Sequence, residues 1–385
     1  MPFAALAWQY SARTAEGLSH TLRNRTVVPA RSLAVGVLLA AATPPAAAQS
    51  PAWKGFELKW EGLARQEWTD ELAFQPTPDR WMLQLRPAIE FGKERIRLGV
   101  GGDFIYSQDT NYDPRPVVMR DNYKSRDARV DLAFLRLEPA SWLTLEGGRF
   151  EMPLPVTEMI WDRDLRAQGG AATIAWNNEE GEPRLALLGL WTKGSHVFDD
   201  EDTTLAAGSA TLTLRSGPMT RFELTGAYLK FDGLDSLSPM LRRQNTRVAG
   251  ALVKEYEVVD LVARFRHEGA VMTQLVAEYC WNTRVDQDKK GVWVAAIFGS
   301  TVSARARLEY SYAYVERDAT LGAYSTDDFL WTTAWEHHKG DLGFRAGRKA
   351  SLHVVWQVQR FLSAATQAER EKWYTRWRVE LRTHD

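Results

Sequence analysis

From Trp53 to the end of the chain, apolar residues recur at every second position in runs of about ten, separated by turn residues. Val302, Ala304, Ala306, Leu308, Tyr310, Tyr312 and Tyr314 share one side of such a run, and Ser303, Arg305, Arg307, Glu309 and Ser311 share the other. Trp81, Leu83, Leu85, Pro87, Ile89 and Phe91 alternate in the same way with Arg80, Gln84, Arg86 and Glu90. In the last run Trp373, Thr375, Trp377, Val379 and Leu381 alternate with Tyr374, Arg376, Arg378, Glu380 and Arg382. Side chains two apart face the same way only on an extended strand, so no helical phase separates these sets. The chain is therefore all-β, with one apolar and one ionic face on strand after strand.

Two environments accept such strands: a soluble sandwich with its charges in bulk water, or a closed transmembrane barrel with its charges in the lumen. Composition leaves both open, since 45% apolar and 25% charged residues with a mean hydropathy of -0.36 suit a water-soluble protein and a transmembrane β-barrel alike. The sixteen Trp and twelve Tyr favour the membrane, because a membrane-water interface uses bulky amphipathic rings that an aqueous core seldom needs. Many stand at strand ends, among them Trp53, Trp60, Trp68, Trp81, Tyr106, Trp176, Trp191, Trp281, Trp331 and Trp373, where two interfacial girdles would require them. Beyond the leader, no apolar run approaches the roughly 20 residues of a membrane-crossing helix.

Arg23, Arg25 and Arg31 precede an apolar stretch from Leu33 to Ala42 and the small residues Ala46, Ala47 and Ala48. That order is a Sec-type signal peptide cleaved after Ala48, the alternative being an amphipathic anchor helix. Residues 1–22 have no leader character of their own and form an atypical N-terminal extension. Residues 1–48 are thus expected to be removed, leaving 49–385 as a single outer-membrane barrel domain. Removal takes away four arginines and one glutamate, so the mature chain is weakly acidic and nucleic acid is not an expected partner. Cys280 is the only cysteine, which excludes an intramolecular disulfide.

Connections alternate in length. Residues 69–79, 108–125, 151–168, 194–203 and 232–244 are long, whereas 92–93, 138–141 and 216–219 are tight turns. Outer-membrane barrels have long loops outside and short turns in the periplasm. Continuing to 372–382 gives sixteen strands of an up-and-down antiparallel barrel. Two runs allow eighteen: Val248 to Arg266, whose alternation changes phase as at a β-bulge, and Leu330 to Gly347, where Lys339-Gly340 could form a turn.

The stretch GGRFEMPLPVTEMIWDRDL (Gly147 to Leu165), followed by GGAATIAW (Gly169 to Trp176), resembles the signature of the putative porin family of Gram-negative bacteria. There a strand ending in G-R-x-x-x-P leads through a W/F-D-x-D-L loop into a small-residue strand. RLEYSYAYVERDATLGAYSTDDF (Arg307 to Phe329) resembles the same family's Tyr-rich penultimate region. Alginate-export barrels are similar in placing a G-R strand before an Asp-rich loop. The resemblance implies a porin-like channel for passive diffusion of small hydrophilic solutes; the alternatives are a non-conducting structural or binding barrel and an exporter of an anionic polysaccharide. Implied partners are outer-membrane lipid, the solutes and the barrel assembly machinery, with a homotrimer left open. One departure stands out, since the chain ends Leu381-Arg382-Thr383-His384-Asp385 rather than on an aromatic residue.

Within that frame the loop after Gly148-Arg149 carries the candidate constriction: Arg149, Glu151, Glu158, Asp162, Arg163, Asp164 and Arg166. It either packs outside over the barrel mouth or folds inward and narrows the pore, where fixed charges on opposing walls filter by size and charge. Arg129 and Asp131 on the neighbouring strand would face it. Arg86, Arg305, Arg307, Glu309, Arg376 and Arg378 complete the expected lumen set.

Catalysis finds little support in the sequence. There is no G-x-S-x-G elbow or similar arrangement near the mature chain's histidines, at 196, 267, 337, 338, 353 and 384. Arginines beside Asp162 and Asp164 stabilise the carboxylate forms, which cannot serve as general acids. His337-His338 reads as a solvated pair, and Asp199, Asp200, Glu201 and Asp202 lack the glycine turn of an EF-hand. Neither metal nor cofactor is expected.

Overall fold

A computed structural model describes residues 55–69, 80–93, 95–107, 126–177, 183–193, 203–237, 244–252, 256–326, 333–363 and 366–383. The leader, Trp53, Trp331, the 108–125 loop, His196 and the acidic run 199–202 lie outside them. Eight strands form the first half of the barrel: β1 (Phe56–Thr69), β2 (Arg80–Lys93), β3 (Ile96–Ser107), β4 (Arg126–Ala140), β5 (Leu143–Glu151), β6 (Arg166–Asn177), β7 (Pro183–Lys193) and β8 (Thr204–Ser216). The second half is β9 (Thr220–Asp232), β10 (Tyr256–Glu268), β11 (Met272–Asn282), β12 (Lys290–Gly299), β13 (Ala306–Val315), β14 (Trp335–Arg345), β15 (Ala350–Phe361) and β16 (Trp373–Thr383). Each pairs antiparallel with its chain neighbours, and β1 closes the ring on β16 from Gly62 opposite Thr383 to Thr69 opposite Arg376. Closure leaves no sheet edge, so a lipid-facing wall needs no backbone hydrogen bond from outside.

Burial is inverted relative to a soluble protein. Leu98, Val100, Phe104 and Leu308 are 49–59% exposed, while Glu67, Asp103 and Arg378 are at most 1% exposed. The outward rows of β2, β3, β13, β14 and β15 carry a continuous belt of Leu, Val, Phe and Tyr, an apolar surface far larger than a water-exposed monomer tolerates. Leu308 and Tyr310 face outward as the alternation requires.

Local structure departs from the sequence expectation at three places. Val302 and Arg305 lie in the turn before β13 rather than in the strand. The phase change near Val248 is not a bulge: Arg247–Val248 pairs with Ala251–Leu252 in a tiny hairpin turning at Ala249 and Gly250, both with positive φ, and the barrel strand starts afresh at Tyr256. Lys339-Gly340 is no turn, because Lys339 pairs with Ser311 on one side and Gln357 on the other. Among the described residues the barrel has sixteen strands.

A real bulge lies between β3 and β4. Gly101 pairs with Leu132 and Gly102 with Val130, which leaves Asp131 as the extra residue, turned inward and 2% exposed. Next door, Gly148 has φ +113°, and a Cβ there would stand 2.2 Å from the Ala133 carbonyl oxygen. Only glycine fits, which gives the Gly148-Arg149 pair its physical reason.

Candidate functional site

The connection between β5 and β6 enters the barrel. Pro153 and Pro155 offer no N–H to a ladder, so the chain leaves the wall after Glu151 and crosses the lumen. On the far side Arg264 of β10 donates to the carbonyls of Pro155 (2.7 Å) and Val156 (3.1 Å). Glu278 of β11 accepts from the backbone N–H of Thr157 (2.9 Å) and from its hydroxyl. A turn follows, with the Ile160 and Trp161 amides on the Thr157 carbonyl. Glu158 and Asp162 are tied to a second inward loop, Thr326 N–H donating to the Glu158 carbonyl (2.8 Å) and Asp162 N–H to the Tyr324 carbonyl (2.7 Å). Trp161 stacks on Tyr324 with centroids 5.1 Å apart, and Tyr324 stacks in turn on Phe231. Met159, Ile160, Trp161 and Leu165 are at most 5% exposed, inside an apolar cluster that fills one sector of the long-loop end.

The return limb is held by charge. Arg86 of β2 pairs with Asp164 (2.6 Å), and Arg166 pairs with the bulged Asp131 (2.8 Å). Arg129 bridges to Asp103 (2.8 Å) and to the Asp164 carbonyl (3.4 Å). In the ring order β2 and β10 stand half a turn apart, so loop 152–165 spans the lumen between opposite walls. Of the two orientations open to it from sequence, it takes the inward one.

The wall formed by β1, β2 and β13–β16 carries arginines on both sides of a row of acids. Glu67 is met by Arg378 (2.7 Å), Arg80 (3.0 Å) and Arg376 (3.5 Å). Glu380 is met by Arg65 (2.7 Å) and Arg382 (2.6 Å), and Asp341 by Arg382 (3.0 Å), Arg307 (3.4 Å) and His353 (2.7 Å). Taking each of these ions out of water costs several kcal/mol, on the order repaid only by close pairing of this kind. Between wall and loop lies a cavity of about 670 Å³, the size of small-molecule sites. A second cavity of about 220 Å³ lies among Arg86, Asp131, Arg136 and Glu146.

Glu151, Glu158, Arg163, Asp164, Arg166, Arg86 and Arg307 line the larger cavity. Glu309 pairs with Arg307, and Asp162 is buried beneath the loop, its carboxylate accepting from Asp164 N–H (2.8 Å). Arg129 and Asp131 sit behind the return limb. Arg376 and Arg378 point inward but are at most 2% exposed, both paired with Glu67 within the wall. Arg149 pairs across with Ala133 and Gln168, both exposed, and donates to the Asp131 carbonyl, so it braces the wall. Arg305 is exposed in its turn. His337 and His338 are not a solvated pair: His337 is fully buried edge-on to Trp335, and His338 faces outward, hydrogen-bonded to the Tyr310 hydroxyl.

Sequence reasoning did not single out Arg65, Glu67, Asp103, Arg264, Glu278, Asp341, His353 and Arg382 as site residues. Alternation already placed Arg382 on the ionic face; what it could not supply was its partners. Asp341 was hidden by the turn-like Lys339-Gly340 before it.

Residues 110–300 match the model of the family described as Putative porin, a stretch running from the loop before β4 through β12 and containing loop 152–165. No curated protein matches the chain. Among solved structures, OmpF of Salmonella typhi in complex with daunomycin aligns with a TM-score of 0.52 at 13% identity, covering 86% of this chain and 97% of that one. A mutant of Rh. blastica porin aligns over 86% of this chain and all of its own, at 9% identity and a TM-score of 0.48. The OmpF likeness speaks for the fold: a closed antiparallel barrel of porin type. The segment that matches the putative porin family, residues 110–300, thus lies within a closed antiparallel barrel and contains the inward loop 152–165.

Proposed function

We propose that the protein is an outer-membrane channel through which small hydrophilic solutes diffuse passively. The observation that carries this reading is the cavity between loop 152–165 and the β1–β2 and β13–β16 wall, bounded by Asp164 and Glu158 on the loop, by Glu151 at the end of β5, and by Arg65, Arg307 and Arg382 on the wall. Opposed fixed charges across a narrow aqueous gap set a transverse field that orients dipolar solutes and disfavours apolar ones. Selection then comes from width and field, with no bond made or broken. The belt of exposed apolar side chains suits the lipid of an outer membrane, and the barrel assembly machinery would insert it there. A homotrimer is compatible with the barrel, as single protomers already enclose the cavity.

A second reading, a barrel plugged by its own loops, draws on the apolar cluster around Trp161, Tyr324 and Phe231. Liposome swelling separates the two. Proteoliposomes containing the folded barrel are expected to swell in isotonic pentose or small amino acid and to swell progressively less as solute size increases. Vesicles that stay sealed to every solute would establish the plugged barrel instead.

A further inference from the structure

His353 joins two groups that sequence reasoning left apart. Its Nδ1 lies 2.7 Å from Asp341 Oδ1 and its Nε2 lies 3.0 Å from Ser351 Oγ. All three residues are 2% exposed. Ser351 and His353 stand two apart on β15, so a strand puts them on one face, and Asp341 reaches them from β14. This S-x-H spacing brings a hydroxyl and an imidazole together on one strand without a G-x-S-x-G elbow. The imidazole lies flat against Gly343, its cross-strand partner, where a Cβ would stand 2.5 Å from Cε1. The second oxygen of Asp341 is held by Arg382 and Arg307. Ser351 and His353, together with Arg307 and Arg382, line the 670 Å³ cavity.

We propose that Ser351, His353 and Asp341 form a hydrolytic site on the lumen wall that cleaves small carboxylic esters entering this cavity. The hydrogen bonds fix the roles. A carboxylate at Asp341 can only accept, so Nδ1 carries the hydrogen, Nε2 is left as the acceptor, and the Ser351 hydroxyl donates to it. Ser351 Oγ attacks the ester carbonyl carbon as its proton passes to Nε2, and the carbonyl electron pair moves onto oxygen. Arg382, opposite Ser351 in the β15–β16 register, supplies positive charge beside that oxygen. Collapse breaks the bond to the leaving alcohol, which takes the proton from Nε2. Water then attacks the acyl-serine, giving one proton to Nε2; the carboxylic acid departs and Ser351 regains its hydrogen. Ser351 and His353 are the catalytic residues, and Asp341 is a positioning residue. The site does not depend on whether the barrel conducts.

The test uses the purified, folded full-length barrel in detergent micelles, a fluorophosphonate probe and p-nitrophenyl acetate. The probe is expected to label Ser351, identified by peptide mass. Hydrolysis is expected to fall about 10²-fold or more in Ser351→Ala and His353→Ala proteins that keep the heat-modifiable migration of a folded barrel. Asp341→Asn should lower the rate and displace its pH profile, and Asp341→Glu should restore part of both. Absence of label, label on another residue, or rates unchanged by Ser351→Ala would overturn the proposal. If the variants do not fold, the position of the label on the wild-type barrel decides alone.

Discussion

Arg264 is the residue whose replacement most directly tests how loop 152–165 is held. Its guanidinium makes two hydrogen bonds to successive loop carbonyls, at 2.7 and 3.1 Å, from the wall opposite the loop's origin. A hydrogen bond from a charged donor contributes about 1.5–3 kcal/mol net, so losing both weakens the anchor by roughly 3 kcal/mol at the low end. That corresponds to about a hundredfold rise in the released population. Arg264→Met keeps the aliphatic length and removes both bonds; Arg264→Lys keeps the charge and can supply one. Hydrogen exchange read on peptides covering 153–165 reports the opening, because the Ile160, Trp161 and Asp162 amides are bonded only while the loop is folded. Protection is expected to drop about 10²-fold in the Met variant and by a smaller factor in the Lys variant, with barrel-strand protection unchanged. Equal protection in wild type and Arg264→Met would refute the anchoring role, and equal losses in Met and Lys would assign the effect to fork geometry rather than to charge.

Other perturbations have equally definite outcomes. Glu67→Gln removes the one carboxylate shared by Arg80, Arg376 and Arg378, and should destabilise the barrel by about 3–5 kcal/mol, seen as a lower denaturant midpoint for loss of the heat-modifiable form. Gly148→Val places a branched Cβ where the Ala133 carbonyl already stands 2.2 Å away, at a left-handed φ; folded yield after refolding into micelles should collapse. Leu308→Arg puts a charge on the lipid-facing row, where the cost runs from about 0–1 kcal/mol near an interface to about 2–4 kcal/mol at the bilayer midplane, measurable as a lower unfolding free energy in bilayers.

How much of this was legible beforehand follows from the range of each interaction. Period-two alternation is local, so the outward rows, such as Leu308 and Tyr310, and the inward side of Arg376 and Arg378 could be read directly. Whether an inward arginine reaches water could not: Glu67, which buries Arg378, is 311 residues away and meets it only because β1 closes on β16. Loop 152–165 shows its length, prolines and charges in sequence, yet its direction is set by Arg264 and Glu278, more than a hundred residues distant. Asp341 was obscured because a Lys-Gly pair has the same composition in a turn and in a strand whose neighbours need a small residue. The tiny hairpin at 247–252 disturbs the alternation as a bulge does, so the two look alike in sequence.

The central claim is that the lumen is an open passage narrowed by loop 152–165, and single-channel recording in a planar bilayer tests it most directly. The wild-type barrel should insert with discrete conductance steps, and a variant with residues 153–163 replaced by a short Gly-Ser linker should give clearly larger ones. Folded barrels that insert without any step in both forms, or steps of equal size in the two, would contradict it.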